Sequence, residues 1–350
     1  KNMKSKRISL ADLAQKSGYS KTAVSFAFNC PERISRDAVE KILSIAQELD
    51  YFPDPMARNF SLGRHLSLGF LVPQSFDISM DNPHVVDVLR GIGSICESYG
   101  YTITCIPPLR SSIAEAIKNA TVDGIIGMGL EFGSEVQEAF KRRKLPFVCI
   151  DAIDEENVIS VSIDNEEAAM RQMTEALGRG HRKIAVISLP GAAYLSDTDS
   201  PTVAPGVAAA RNRGYLKAEK EYGIDTPFKT YPVLATKEGG EEAAKRILKD
   251  GTPTCIVTMS DIQAIGAIEY LEKNGIRVPE DVSVIGFDGI YHTTMGKKLC
   301  SIDQRGREKG IRAAEMLFDI IKGNEPENKI SLIPFTFEEG DTLKDISSAT

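Results

Sequence analysis

The sequence predicts an α/β protein in two parts: a small helical head, then a large body of two α/β lobes. Three observations lead there. Between Arg7 and Leu49, apolar residues recur at helical spacing behind three capping residues. From Leu66 onward, apolar runs of strand length alternate with amphipathic stretches, the grammar of βαβ units around a parallel sheet. That alternation runs to about residue 163 and then starts again, which favours two lobes; a single large doubly wound domain is the other arrangement the pattern allows.

In the head, Ser9 stands three residues before Asp12, a capping-box pattern ahead of Leu10, Leu13 and Ala14. Gly18 tolerates a tight bend. Ser20 caps a second helix, Lys21 to Phe28, with Ala23, Val24 and Ala27 inward and Lys21, Thr22, Ser25 and Phe26 outward. Asn29, Cys30 and Pro31 break that helix, and Ser35 caps a third with Val39, Ile42, Leu43, Ala46 and Leu49 on one face. Helix, bend and helix at this spacing make a helix-turn-helix, although three unrelated amphipathic helices show the same period. So few large apolar residues give a marginal core, as expected of a docking head carried by something larger.

Pro53 and Pro55 bracket a break, and Met56 to Leu62 can form one short helix ended by Gly63. A helix of that length is unstable alone in water, so it needs DNA or a partner copy to fold. The head is therefore assigned to 1–52, a hinge helix and linker to 53–65, and the body to 66–350. Within the body, strands are expected at 68–72, 101–106, 124–127 and 146–150, with helices at 85–99, 113–119 and 135–143 between them. The second series has strands at 161–163, 183–188, 255–258 and 282–287 and helices at 166–177, 207–222, 237–249 and 263–274. A strand near 300–302, a helix at 306–321 and strand signals at 330–337 follow. The expected lobes are about 66–163 with 290–324, and about 164–289 with 325–350.

The net charge of −7 argues at first against a nucleic-acid binder. Residues 1–65, however, hold 11 Lys and Arg against 7 Asp and Glu, and the remainder holds 31 against 42. A head of +4 on a body of −11 is the asymmetry expected when only the head meets phosphate. Cys30, Cys96, Cys105, Cys149, Cys255 and Cys300 are irregularly spaced, with no C-x-x-C pair and no histidine partner, so no metal site is expected. No apolar run reaches membrane length, and Lys1, Lys4, Lys6 and Arg7 lead into polar helix rather than a signal-peptide core. The chain is accordingly placed in the cytoplasm.

Motifs of an enzyme are weak. Gly127, Gly129 and Gly133 follow a strand, but the third glycine is one residue late for a dinucleotide fingerprint. No P-loop and no G-x-S-x-G occur. Asp261 and Asp288 each follow an expected strand, where open α/β sheets bind ligands, and they lack an identifiable nucleophile or metal. No catalytic residue and no cofactor are assigned.

The head motifs Ile8-Ser9-Leu10-Ala11-Asp12-Leu13-Ala14, Gly18-Tyr19-Ser20-Lys21-Thr22-Ala23-Val24-Ser25, Asn29, Ile34-Ser35, Leu49-Asp50-Tyr51 and Ala57-Arg58-Asn59-Phe60 occur in order. The body continues with Asn82-Pro83, Leu89-Arg90-Gly91, Asp123-Gly124, Asp164-Asn165, Gly180-His181-Arg182, Arg211 with Gly214-Tyr215, Val278-Pro279, Gly286-Phe287-Asp288 and Ile302-Asp303-Gln304. The ordered set covers nearly the whole chain and resembles the lactose-repressor (LacI/GalR) family of bacterial transcription regulators. The resemblance implies a helix-turn-helix head on a two-lobed periplasmic-binding-protein-like (type I) effector domain. It implies a DNA-binding regulator, read as a repressor, that binds a pseudo-palindromic operator as a homodimer, with a tetramer left open. A small polar effector, sugar-like or another metabolite, would control it. The alternative from another class is a cytoplasmic sugar-binding or sugar-converting α/β protein with an appended head.

By that resemblance Ser9, Lys21, Thr22, Ser25, Phe26, Asn29, Ala57, Arg58 and Phe60 meet DNA, and His84, Asp164, Arg211, Asp261, Asp288 and Gln304 hold the effector. Phe26 stands where the family commonly has a base-reading arginine, and Phe60 where a leucine wedges into the minor groove. Phenylalanine can also wedge between base steps. His84 and Val85 replace an aromatic pair, Ser260 an asparagine, and Gly289 an acidic residue. A guanidinium, a carboxylate and an amide (Arg211, Asp288 and Gln304) can together satisfy a polar ligand. The alternative for Arg211 and Asp288 is a structural ion pair tying the lobes.

Overall fold

The structure is a computed structural model that describes residues 8–53, 59, 63–72, 74–130, 133–152, 158–190, 206–290, 293–294 and 296–349. The expected hinge helix, including Ala57, Arg58 and Phe60, lies outside the described residues apart from Asn59. Two compact units are present, Lys1–Leu66 and Ser67–Thr350.

The head holds α1 (Leu10–Ser17), α2 (Lys21–Asn29) and α3 (Arg36–Glu48). Its capping box is complete: the Asp12 amide donates to Ser9 Oγ at 3.2 Å and the Ser9 amide to Asp12 Oδ2 at 2.9 Å. Gly18, at φ +76°, ends α1 in the left-handed conformation that glycine adopts freely. Leu13, Ala14, Val24, Ala27, Ile42 and Ala46 form the core, with Phe28 against Tyr51 at its edge. Leu43, expected on the buried face of α3, is 40% exposed because Ala38, Ile42 and Ala46 take that face.

In the body, lobe one is a six-stranded sheet of β1 (Ser67–Leu71), β2 (Thr102–Ile106), β3 (Gly124–Met128), β4 (Phe147–Ile150), β5 (Ser160–Ser162) and, near the C-terminus, β13 (Ile330–Leu332). Their order is β13-β5-β4-β3-β1-β2, all parallel. Both faces are covered, so β1 is buried throughout, with Leu68 and Phe70 toward one helical layer and Leu71 toward the other. Each fully buried Leu or Phe is worth about 1.5–3 kcal/mol relative to exposure. The helices are α4 (Phe76–Asp81), α5 (Pro83–Tyr99), α6 (Ile113–Asn119), α7 (Ser134–Arg143) and the late α12 (Gly306–Ile321). Helices α5 and α12 cross in backbone contact: a Cβ on Gly91 would lie 2.1 Å from the Arg307 carbonyl, and one on Gly310 2.1 Å from that of Val88.

Lobe two is a second six-stranded sheet of β6 (Ile184–Ser188), β7 (Thr230–Pro232), β8 (Cys255–Thr258), β9 (Ser283–Asp288), β12 (Cys300–Asp303) and β14 (Thr336–Glu338). Its order is β14-β12-β9-β8-β6-β7, with only β14 antiparallel. Helices α8 (Asn165–Gly178), α9 (Val207–Glu221), α10 (Lys237–Asp250) and α11 (Asp261–Lys273) cover it, and a short hairpin, β10 (Thr293–Thr294) with β11 (Lys297–Lys298), precedes β12.

The expected lobe boundaries require correction. Residues 300–303, expected in lobe one, pair in parallel with β9 in lobe two, and residues 330–332, expected in lobe two, pair with β5 in lobe one. The signal at 330–337 is two strands in two different sheets. Short strands of similar composition carry no periodicity that names their sheet; pairing decides it. The chain crosses between lobes at 163–164, at 304–305 and at 333–335. Helix α4 and strand β7 were not anticipated: α4 is a six-residue turn, and β7 is a three-residue edge strand ending in proline.

Candidate functional site

The inter-lobe cleft gathers its polar groups from the ends of strands and the first turns of helices. Asn82 caps α5 by accepting the His84 amide at 3.0 Å, and Pro83 opens the helix. This packs His84 against the start of α12, where a Cβ on Gly306 would lie 2.9 Å from its Nδ1; it is 5% exposed, with neither ring nitrogen hydrogen-bonded. Burial, reinforced by the Lys309 cation, opposed by Asp151 and helped again by Arg211, pulls its pKa down to about 3. The imidazole is therefore neutral near pH 7 and has one donor and one acceptor unspent.

Arg211 projects from the first turns of α9, 3% exposed, its guanidinium 3.6 Å above the Phe287 ring centroid. Its Nε donates to Asn165 Oδ1 at 3.0 Å, and its Nη1 donates to the Met259 carbonyl. Burial lowers its pKa, against the raising effect of Asp288 and Asp151. Arg211 and Asp288 bond to other partners and both belong to lobe two, so the alternative of an ion pair between them tying the lobes is not met.

Asp288 ends β9, where its Oδ1 accepts from Gln304 Nε2 and its Oδ2 from the Asp261 amide at 3.0 Å. Burial raises this carboxyl to about 6, opposed by Arg211, the Asp261 amide, Gln304 and Lys309. Asp261, at the start of α11, is fully buried and spent: it accepts from Ser301 Oγ at 2.6 Å and from the Ile290 amide at 2.9 Å. Burial and then the Asp288 charge push its carboxyl well above the usual range. Asp261 thus anchors the segment after β9 rather than presenting a free carboxylate.

Gln304, in the second crossover, is 1% exposed and used at both ends: Nε2 donates to Asp288 and Oε1 accepts from Lys309 Nζ at 2.6 Å. Asp164 stands apart from the cluster, since it is exposed and caps α8 by accepting the Glu167 amide at 2.9 Å. The polar residue turned inward there is its neighbour Asn165. An open cavity of about 910 Å³ adjoins the cluster between the first turns of α5 and α12 and the segments at 288–290 and 336–338. Asp288 alone of the six expected effector residues lines it, and its lining mixes Asp81, Asp87, Asp303, Glu308 and Glu338 with Arg90, Arg305 and Arg307.

Sequence reasoning missed Asp151, Ser162, Asn165 and Lys309. Lys309 is wholly buried on α12 and grips both Asp151 oxygens at 2.7 and 2.9 Å. Burial alone would raise the Asp151 carboxyl, but Lys309 holds it below the usual range. Asp151, at φ +63°, follows β4 directly, and Asp288 is the last residue of β9, so the strand-end rule could have found it. Nothing in Arg307-Glu308-Lys309-Gly310 distinguishes Lys309 from a solvated lysine.

In the head, Lys21 and Thr22 are exposed on the first turn of α2, and Ser25 and Phe26 are half-buried one turn on. Asn29 donates to Ser25 Oγ at 3.3 Å and its Oδ1 has no partner. Ser9 is occupied by its cap. The Arg33 guanidinium, which the sequence reading passed over, lies 5.4 Å from the Phe26 ring centroid. Ala57, Arg58 and Phe60 lie outside the described residues. Among the described residues no His, Cys, Asp and Glu cluster is arranged for a metal ion, and no helix is long and apolar enough to cross a membrane.

Two family profiles match the chain. "Periplasmic binding proteins and sugar binding domain of LacI family" covers residues 65–340, and "Bacterial regulatory proteins, lacI family" covers 9–54. The HTH-type transcriptional regulator IpsA of Corynebacterium glutamicum is 29% identical over 353 residues, spanning 96% of this chain and 98% of its own. The HTH-type transcriptional repressor PurR of Vibrio cholerae is 28% identical over 348 residues, spanning 97% and 99%. The structure of the Lac repressor dimer bound to operator and the anti-inducer ONPF, at 22% identity, shares the fold with a TM-score of 0.79 over 97% of this chain and 100% of that one. With a helix-turn-helix head, two parallel-sheet lobes joined by three crossovers and both profiles in register, the chain belongs to the LacI family of bacterial regulatory proteins and is a DNA-binding transcriptional regulator with an effector domain.

Proposed function

We propose that this regulator is a homodimeric repressor whose cleft senses a small polar effector and so controls binding to a pseudo-palindromic operator. The observation that carries the reading is His84, buried at the first turn of α5 with both ring nitrogens unpartnered and within electrostatic reach of Lys309, Asp151 and Arg211. A buried polar group without a partner is costly, and a ligand hydroxyl or amide would satisfy it. Arg211 and Asp288 would hold the adjacent acceptor and donor of the same ligand, while Gln304, Asp261 and Asp164 orient and cap. Lobe closure around the ligand would then favour one setting of the paired hinges.

In the head, Lys21, Thr22, Ser25 and Phe26 are the residues that would reach base edges in the major groove, with Asn29 and Ser9 beside the backbone and Ala57, Arg58 and Phe60 in the hinge. The reading is non-enzymatic and cytoplasmic. Its support is that the two strand-end carboxylates, Asp261 and Asp288, are committed: Asp261 to Ser301 and Ile290, and Asp288 to Gln304 and the Asp261 amide. Thermal-shift screening of the full chain against sugars and nucleobases tests it, followed by operator binding with each stabilising compound. A compound that raises the melting temperature and changes operator affinity is expected. Turnover of that compound by the purified chain would favour the sugar-converting alternative instead.

A further inference from the structure

We propose that Lys309 is a positioning residue of the effector response, the centre of a buried hydrogen-bonded ribbon that links Arg211 to Asp288 through two of the three crossovers and thereby sets the angle between the lobes. The inference rests on the reading of the cleft as the effector site. The ribbon can be followed bond by bond. Arg211 Nε donates to Asn165 Oδ1 at 3.0 Å, and Asn165 Nδ2 to Ser162 Oγ at 3.2 Å, which spans the first crossover. Ser162 Oγ donates to Asp151 Oδ1 at 2.8 Å, and Lys309 Nζ donates to both Asp151 oxygens at 2.7 and 2.9 Å. Lys309 Nζ also donates to Gln304 Oε1 at 2.6 Å, and Gln304, within the second crossover, donates to Asp288.

Every member is at most 8% exposed. Lys309 has three N–H groups and three acceptors, so it has no donor left for a ligand. A buried ion pair is a poor source of net stability, because apolar side chains of similar volume often do as well or better. Its use here is geometric. Asp151 and Lys309 belong to lobe one and Asn165, Arg211 and Asp288 to lobe two, so the ribbon, running through Ser162 and Gln304, joins the two lobes by buried hydrogen bonds. A ligand bonded to Asp288 shares that carboxylate with Gln304, and one bonded to Arg211 shares the guanidinium with Asn165. Movement of either end is passed along its arm to a crossover, and Lys309 is where the two arms meet.

The test measures the lobe setting directly in the full chain without any ligand. Cys30 and Cys105, the half-buried cysteines, are replaced by Ser, and spin labels are placed on cysteines introduced at the exposed Lys118 of α6 and Lys245 of α10. Labelled chain is mixed with an excess of unlabelled chain so that distances within one protomer are read, and a single narrow inter-lobe distance is expected for this parent. Lys309→Met should broaden it, and Ser162→Ala, which cuts the other arm without removing a charge, should broaden it too. If Lys309→Met alone does not fold, Asp151→Asn with Lys309→Met leaves no unpaired carboxylate and serves instead. A folded variant that keeps the narrow distance overturns the proposal. Because no ligand is used, that failure leaves the effector reading standing; conversely, a broadened distance in a chain that no screened compound stabilises removes the effector reading and keeps the ribbon.

Discussion

Arg211→Ala tests how much of the cleft is structure and how much is recognition. The guanidinium makes two charge-assisted hydrogen bonds, to Asn165 and to the Met259 carbonyl, and stacks on Phe287. Hydrogen bonds to charged groups contribute about 1.5–3 kcal/mol each, and a desolvated cation–π contact about 2 kcal/mol. These do not add, and removing one partner from a buried charge cluster typically costs about 3–5 kcal/mol. Domain stabilities are about 5–15 kcal/mol, so the variant should fold at 25 °C with a clearly lowered urea midpoint. Arg211→Lys keeps the charge and loses the fork, and should cost less. Under conditions where both are folded, each should bind operator like the parent by fluorescence anisotropy and should no longer respond to a compound that stabilises the parent. A folded Arg211→Ala chain with an undiminished ligand response would refute the assignment of Arg211 to the ligand.

Three further outcomes follow from particular residues. Phe60→Ala should weaken specific operator binding by about 1–3 kcal/mol and leave binding to random duplex nearly unchanged, whereas equal loss on both duplexes would mark Phe60 as a packing residue. Arg33→Ala should lower operator affinity, since its guanidinium lies over Phe26, at the position where the resemblance implies a base-reading arginine; competition between operator and random duplex measures whether that loss is specific. Glu219 is 4% exposed with Oε2 unpartnered, and burial, against the Phe228 amide, raises its pKa to about 7. Its folded pKa lies above its unfolded value of about 4.3, so its contribution is full below that pH and is lost as pH rises through 7. Urea titrations from pH 5 to 8 should therefore show the parent losing about 1–2 kcal/mol relative to Glu219→Gln; parallel curves would contradict this.

Helices with strong period and explicit caps were legible in the sequence, and so were strands buried on both faces. Ser9, Ser20 and Ser35 each cap the helix they announce, and β1, β6 and β9 are continuous apolar runs. What depended on distant pairing was not legible. Strands β12 and β13 were placed in the wrong sheets because three or four residues carry no partner information. Within the cleft, Arg211, Asp288 and Gln304 could be named by resemblance, and His84 by its departure from an aromatic pair. The resemblance also points to Asp164 and Asp261, whose carboxylates here cap α8 and anchor the segment after β9. Lys309 was invisible, because a buried lysine is identified only by the carboxylate that meets it, and Asp151 lies 158 residues away.

The most direct test of the account is the salt dependence of DNA binding by the intact chain and by residues 61–350. A pseudo-palindromic duplex selected with the full chain is titrated by anisotropy at salt concentrations from about 50 to 200 mM, a range over which several phosphate contacts change affinity by orders of magnitude. The intact regulator should bind as a dimer with a steep fall in affinity as salt rises. The body alone, carrying the acidic remainder of the sequence, should melt cooperatively and bind no DNA. Operator binding that persists in residues 61–350, or a salt slope near zero in the intact chain, would contradict the claim that the basic head reads DNA.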